Sequence, residues 1–117
     1  MPSSVFYTIG DWGAFQQESI KILKNVAYQM NKLSDYKNPL FIATLGDNFY
    51  DRGVKSIDDP MWNSSWKDIF INKHKNMQNI KWHVTLGNHD YYGGYDSIEA
   101  QIKKTTIDNN WFLPNEN

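Results

Sequence analysis

Three short apolar runs, each followed by glycine, most strongly constrain how this chain can fold. They are rich in β-branched and aromatic residues and cover Val5–Ile9, Leu40–Leu45 and Ile80–Leu86. Runs of this length and composition predict β-strands, and their nearly continuous apolar character is typical of parallel strands covered on both faces. Longer segments separate the runs, as the connections between parallel strands require.

The segment between the first two strands predicts an amphipathic helix. Its apolar residues recur at intervals of three and four, which places them on one helical face. They are Ile20, Leu23, Ala27, Met30 and Leu33. Pro39 then marks the entry to the second strand.

Two further helices are predicted, one on each side of the third strand. In the first, Asp59 serves as N-cap and Pro60 takes the first helical position, a common start for a helix. Its apolar face comprises Met61, Trp62, Trp66, Ile69 and Phe70. In the second, after the turn "YYGGY", Asp96 and Glu99 have the spacing of a capping box. The predicted order is therefore β-α-β-α-β-α, with right-handed crossovers.

A polar, oxygen-bearing side chain follows the glycine at the end of each strand. These residues are Asp11, Asp47 and Asn88. Loops that leave the carboxyl ends of parallel strands share one edge of the sheet, so the three side chains are expected to converge there. A single Gly-Asp pair is more often only a turn. Three of them at strand ends predict a site for a hard cation, because carboxylate and amide oxygens are hard ligands.

Composition excludes several other classes of protein. The net charge of −1 offers no basic surface for nucleic acid or an anionic membrane, and the absence of cysteine excludes disulfides and thiolate metal sites. No apolar run approaches the length of a membrane span. The sequence runs from Met1 into the first strand without a signal-peptide pattern, which favours a soluble, cytoplasmic protein over a secreted one.

The strand-end motifs resemble those of the metallophosphoesterases, also called calcineurin-like phosphoesterases. "GDWG" at 10–13, "GDNFY" at 46–50 and "GNHD" at 87–90 correspond to the first three motifs of that superfamily. The tyrosine of "GDNFY" marks the purple acid phosphatase branch, and the flanking sequences are most similar to its small tartrate-resistant type. The resemblance extends from Tyr7 to Pro114. It implies the first half of a four-layer α/β sandwich, with residues 1–117 as a single truncated domain.

The resemblance also implies a dinuclear metal centre that hydrolyses phosphomonoesters. Asp11 and Tyr50 would bind the first metal, Fe(III), and Asp47 would bridge both metals. Asn88 would bind the second metal, a divalent Fe, Zn or Mn ion. His89 would contact phosphate or donate a proton to the leaving alcohol.

Two departures from the family pattern qualify these expectations. "DRG" at 51–53 resembles the end of a Ser/Thr protein phosphatase signature, but Tyr50 alters the spacing, so Asp51 and Arg52 are interpreted as an exposed turn. The family's three later histidine ligands also have no counterpart. His74 is expected in a solvated stretch, and His83 is expected to pack within or beside the third strand.

A truncated domain would leave one face of its sheet uncovered. That face predicts binding to a missing C-terminal half or self-association, because large exposed apolar patches mark interfaces. The alternative to an enzyme is a non-catalytic member of the superfamily that binds phosphate or a partner.

Overall fold

A four-stranded parallel sheet with strands in sequence order forms the centre of the fold. The structure is a computed structural model and describes residues 3–116. The strands are short: β1 (Tyr7–Ile9), β2 (Ile42–Thr44), β3 (Trp82–His83) and β4 (Trp111–Phe112). The three predicted strands are therefore present, and β4 is an additional strand that the sequence did not predict. The register pairs Tyr7 with Ile42, Ile42 with Trp82, and Trp82 with Trp111.

Helical segments connect consecutive strands. They are α1 (Gln17–Leu33), a π-helix (Trp62–Ile71), a 3-10 turn (Lys75–Met77), α2 (Asn88–Tyr92) and α3 (Gly94–Lys104). Ala27 and Met30 of α1 are buried as predicted, whereas Leu33 is exposed. Among residues 3–116, no helix is long and apolar enough to cross a membrane.

Two helix starts differ from the sequence expectation. The second helix is a π-helix that begins at Trp62, two residues after the predicted start at Pro60. The carboxylate of Asp59 accepts hydrogen bonds from the backbone N–H groups of Lys55 and Met61, and the second of these is the contact expected of an N-cap. The predicted capping box of Asp96 is wrong, because α3 begins two residues earlier at Gly94. Gly94 has a φ of +76°, a conformation that glycine adopts without strain. This freedom allows α3 to follow α2 almost directly.

All five tryptophans are buried in one aromatic core on one face of the sheet. They are Trp12 in the loop after β1, Trp62 and Trp66 in the π-helix, Trp82 in β3 and Trp111 in β4. Their rings meet mainly edge to face, the geometry that aromatic pairs prefer. The core therefore holds the loop after β1 against the strands that carry the other motifs.

The opposite face of the sheet carries a row of rings from Phe6, Phe41, His83 and Phe112. Neighbouring ring centroids lie 5.0 to 5.2 Å apart. Phe6 is 55% exposed and Leu45 is 67% exposed. The prediction that the sheet is covered on both faces is therefore wrong for residues 3–116. A half-sandwich with one open face is the arrangement that the resemblance implied. His83 belongs to this face, away from the motif-bearing loops.

Candidate metal centre

The loops after β1 and β2 meet at the carboxyl edge of the sheet. The backbone N–H of Asp11 donates to the carbonyl of Gly46 at 3.1 Å, which joins the two loops. Asp11 and Asp47 have φ angles of 53° and 52°, a left-handed conformation that is uncommon for residues other than glycine. Such strained residues concentrate at functional sites. Both aspartates therefore occupy sharp exits from their strands, as their place after glycine predicted.

The phenol of Tyr50 lies between the two carboxylates. Its hydroxyl group is 2.6 Å from Oδ1 of Asp11 and 3.2 Å from Oδ2 of Asp47. Burial and the hydrogen bond to Asp11 raise the pKa of Tyr50 above its usual value. The structure thus brings Asp11, Asp47 and Tyr50 together, although Asp11 and Tyr50 are 39 residues apart in the chain.

The loop after β3 packs closely on the same site. A Cβ atom at Gly87 would lie 2.2 Å from the backbone nitrogen and from Oδ1 of Asp47, so only glycine fits there. The backbone N–H of His89 donates to Oδ1 of Asp47 at 3.0 Å. The side-chain amide of Asn88 donates to the hydroxyl of Tyr92 at 2.8 Å. The third motif therefore adjoins Asp47 directly.

His89 is held by contacts on several sides. Its ring centroid lies 4.6 Å from that of Tyr50 and 4.9 Å from that of Tyr92. Nδ1 lies 2.7 Å from the backbone carbonyl oxygen of Asp51, which can only accept, so Nδ1 carries the proton. This contact and the negative charges of Asp47 and Asp51 raise the pKa of His89, against a smaller opposing effect of burial. Nε2 is then the ring nitrogen that can exchange a proton with a ligand.

Sequence reasoning missed the role of Asp51. It lies in an exposed turn, as expected. Its carboxylate is also 3.3 Å from Nδ1 of His89, so the interpretation of Asp51 as a turn residue remote from the site residues is wrong. Arg52 stays on the outside and donates to the carbonyl of Tyr92. The sequence argument relied on the spacing of "DRG", which Tyr50 alters. That spacing carries no information about the contact between Asp51 and His89, which belongs to another loop.

A buried hydrogen-bonded network beneath the site was also missed. Its members are Trp12, Asn48, Asp90 and Gln101, all fully buried. Trp12 donates to Asn48, Asn48 donates to Gln101, and Gln101 donates to Asp90. The carboxylate of Asp90 also accepts from the backbone N–H groups of Asn48, Phe49 and Gly87. Burial raises the pKa of Asp90, and these donors oppose that shift. The network ties together the loops after the first three strands.

The side chains at this edge suit a hard cation in their chemistry. Asp11, Asp47 and Tyr50 offer oxygen donors within hydrogen-bond distance of one another. Across residues 3–116 there is no group of three or more His, Cys, Asp or Glu side chains that could hold a metal ion. The oxygen donors that the structure brings together are those of Asp11, Asp47 and Tyr50, whereas the side chain of Asn88 contacts Tyr92.

An open cavity adjoins the same side chains. It has a volume of about 350 Å³ and is lined by Asp11, Ala14, Ser19, Ile22, Leu23 and Tyr50. A second, of about 440 Å³, lies against Tyr50 and Asp51 and is bordered by Phe15. Space for a small ligand therefore lies next to the convergent oxygens.

Comparison with known proteins identifies the family to which this site belongs. The family model for calcineurin-like phosphoesterases matches residues 5–116. The chain belongs to the calcineurin-like phosphoesterase family. This agrees with the resemblance of the strand-end motifs, and the fold is that of a metallophosphoesterase.

Several relatives of this chain are acid phosphatases. The chain is 32% identical to tartrate-resistant acid phosphatase type 5 of Oryctolagus cuniculus over 97% of its own length and 34% of the relative's. It is 37% identical to purple acid phosphatase 7 of Arabidopsis thaliana, covering 91% of the chain and 30% of that protein. The chain thus spans about a third of the length of the curated relatives it matches.

A solved structure also resembles the chain. It is described as "GAP50 the anchor in the inner membrane complex of Plasmodium". The TM-score is 0.74 at 30% sequence identity, and the match covers 94% of this chain and 33% of that one.

Proposed function

We propose that this chain carries part of the dinuclear metal centre of a phosphoric monoester hydrolase of the acid phosphatase type. The observation that carries the proposal is the position of the Tyr50 hydroxyl, shared between the carboxylates of Asp11 and Asp47. Family membership and the acid phosphatase relatives support the same reaction class. The substrate would be a phosphomonoester.

The proposed ligands divide into a fuller and a sparser set. Asp11, Tyr50 and Asp47 would hold Fe(III), and Asp47 would extend to a divalent Fe, Zn or Mn ion that Asn88 also binds. When bound, such a metal pair supplies Lewis-acid stabilisation of phosphoryl oxygens and lowers the pKa of water. The left-handed backbone at Asp11 and Asp47 supports these roles, because it turns both side chains sharply out of their strands.

His89 would serve the leaving group. Its Nδ1 is bonded to the carbonyl oxygen of Asp51, which orients the ring and leaves Nε2 for proton transfer to the departing alcohol. The raised pKa of His89 keeps the ring protonated to higher pH, as a general acid requires. Asp51 would act as a positioning residue for that ring.

The test of this proposal is the colour of the iron-loaded chain. Fe(III) bound by the Tyr50 phenolate should give a visible tyrosinate-to-iron charge-transfer band, and Tyr50→Phe should abolish it. Tyr36→Phe is the control, because Tyr36 is 85% exposed in the turn that follows α1. A band of equal strength in Tyr50→Phe, or iron binding without any band, would refute the role of Tyr50.

A second function, binding of a partner without catalysis, is favoured by the solved structure described as an anchor. The sparse second ligand set supports it as well, since residues 3–116 lack a group of three His, Cys, Asp or Glu side chains for a metal. Asp47 and Asn88 alone would hold a second cation loosely. Turnover of p-nitrophenyl phosphate by a fusion of this chain to the remaining part of an acid phosphatase relative, loaded with iron and zinc, separates the two functions. Hydrolysis is expected only if the ligands in this chain support catalysis.

A further inference from the structure

Tyr92 contacts two residues of the proposed site through different parts of its side chain. Its hydroxyl oxygen accepts a hydrogen bond of 2.8 Å from Nδ2 of Asn88. Its ring meets the ring of His89 edge to face, with centroids 4.9 Å apart. Asn88 and Tyr92 are four residues apart in α2, a spacing that places them on one face. The side chain is 53% exposed, so these contacts are not a by-product of core packing.

In the structure the Asn88 amide turns Nδ2 toward the Tyr92 hydroxyl, so Oδ1 points the other way. A carboxamide has one oxygen that can bind a cation and one NH₂ group that can only donate. With Nδ2 committed to Tyr92, Oδ1 is the atom left for a ligand. Residues that hydrogen-bond to a metal ligand in this way orient the ligand and tune the affinity of the site for the metal.

We infer that Tyr92 is a positioning residue that presents Oδ1 of Asn88 to the second cation and braces the ring of His89. The inference rests on the proposed function, because it assigns Tyr92 to the weaker half of that metal centre. The hydroxyl acts on Asn88 and the ring acts on His89, so the two effects can be separated. Tyr92→Phe removes only the hydroxyl.

The experiment measures binding of the second cation without relying on activity. The isotope-labelled chain is first loaded with Ga³⁺, a diamagnetic substitute for Fe(III), and is then titrated with Mn²⁺. Paramagnetic broadening of the His89 amide signal reports Mn²⁺ bound beside Asn88. Tyr92→Phe should raise the Kd for Mn²⁺ about tenfold, the usual effect of losing such a partner. Tyr95→Phe, at a 77% exposed tyrosine in the next helix, α3, should leave the Kd unchanged.

A double-mutant comparison shows whether Tyr92 acts through Asn88. Asn88→Ala should weaken Mn²⁺ binding at least as much as Tyr92→Phe, and adding Tyr92→Phe to it should have no further effect. Equal Kd values for the wild type and Tyr92→Phe would overturn this inference and leave the metal centre standing. Absence of Mn²⁺ binding by the Ga³⁺-loaded wild type would overturn the second metal site and this inference with it.

Discussion

Asp90→Asn is the substitution that most directly tests the network beneath the site. Oδ2 of Asp90 accepts from the backbone of Gly87 at 2.8 Å and of Asn48 at 3.1 Å. Oδ1 accepts from Nε2 of Gln101 at 3.0 Å and from the backbone of Phe49 at 3.3 Å. All these partners are donors, so a carboxylate satisfies them and a carboxamide cannot. The substitution therefore keeps the shape of the side chain and reverses half of its hydrogen-bonding capacity.

The network cannot adjust by rotating its amides. The indole of Trp12 can only donate, and this orients the Asn48 amide, which then donates to Gln101. Gln101 in turn must donate to residue 90. The new amide would keep the shorter pair of bonds and turn its NH₂ group toward Gln101 and Phe49. Losing two bonds to a charged acceptor costs about 1.5–3 kcal/mol each, and removal of a buried charge offsets part of this, so we expect a loss of about 3 kcal/mol.

Urea denaturation followed by tryptophan fluorescence measures this loss, at neutral pH with chelator present so that metal binding does not contribute. Asp58→Asn is the control, because Asp58 is exposed and should change the free energy of unfolding by less than about 0.5 kcal/mol. Adding Gln101→Glu to Asp90→Asn supplies an acceptor for both the new amide and Asn48, and should recover about 1 kcal/mol. If Asp90→Asn and Asp58→Asn had the same free energy of unfolding, the reasoning would be refuted.

Three other predictions concern the metal site and the open face of the sheet. Asp47→Asn removes the charge expected to bridge the cations and should abolish two-metal occupancy, measured by elemental analysis; unchanged metal content would exclude the bridge. The chain by itself should show almost no metal-dependent hydrolysis of p-nitrophenyl phosphate, because Asp47 and Asn88 alone hold the second cation loosely; robust turnover by a monomer would contradict this. Phe41→Ser interrupts the ring row on the uncovered face and should reduce self-association in analytical ultracentrifugation, whereas Tyr36→Ser should not; equal masses for the wild type and Phe41→Ser would argue against that face as the contact.

Local spacing in the sequence carried enough information to predict the strand ends and the residues placed there. Apolar runs followed by glycine predicted three of the four parallel strands. Parallel strands end at a common edge, so Asp11 and Asp47 could be expected to meet although they lie far apart in the chain. Tyr50 could be added only through the resemblance to a family, since nothing in its spacing distinguishes a ligand from a packed aromatic residue.

The winding and starts of the later helices depended on tertiary packing. The tryptophans of the segment Trp62–Ile71 fit the aromatic core as a π-helix, a detail that local propensity does not specify. Similarly, α3 begins at Gly94, ahead of the capping box predicted at Asp96.

The sequence by itself determined the family, the order of the first strands and helices, and which oxygen-bearing side chains stand at the edge of the sheet. Only the tertiary structure decided that Asp51 and Tyr92 contact His89, and that the network of Trp12, Asn48, Gln101 and Asp90 ties together the loops after the first three strands. The physical reason is that a motif records neighbours along one chain segment. Contacts between loops about forty residues apart depend instead on strand register and on the packing of the aromatic core, which arise only when the whole sheet has formed.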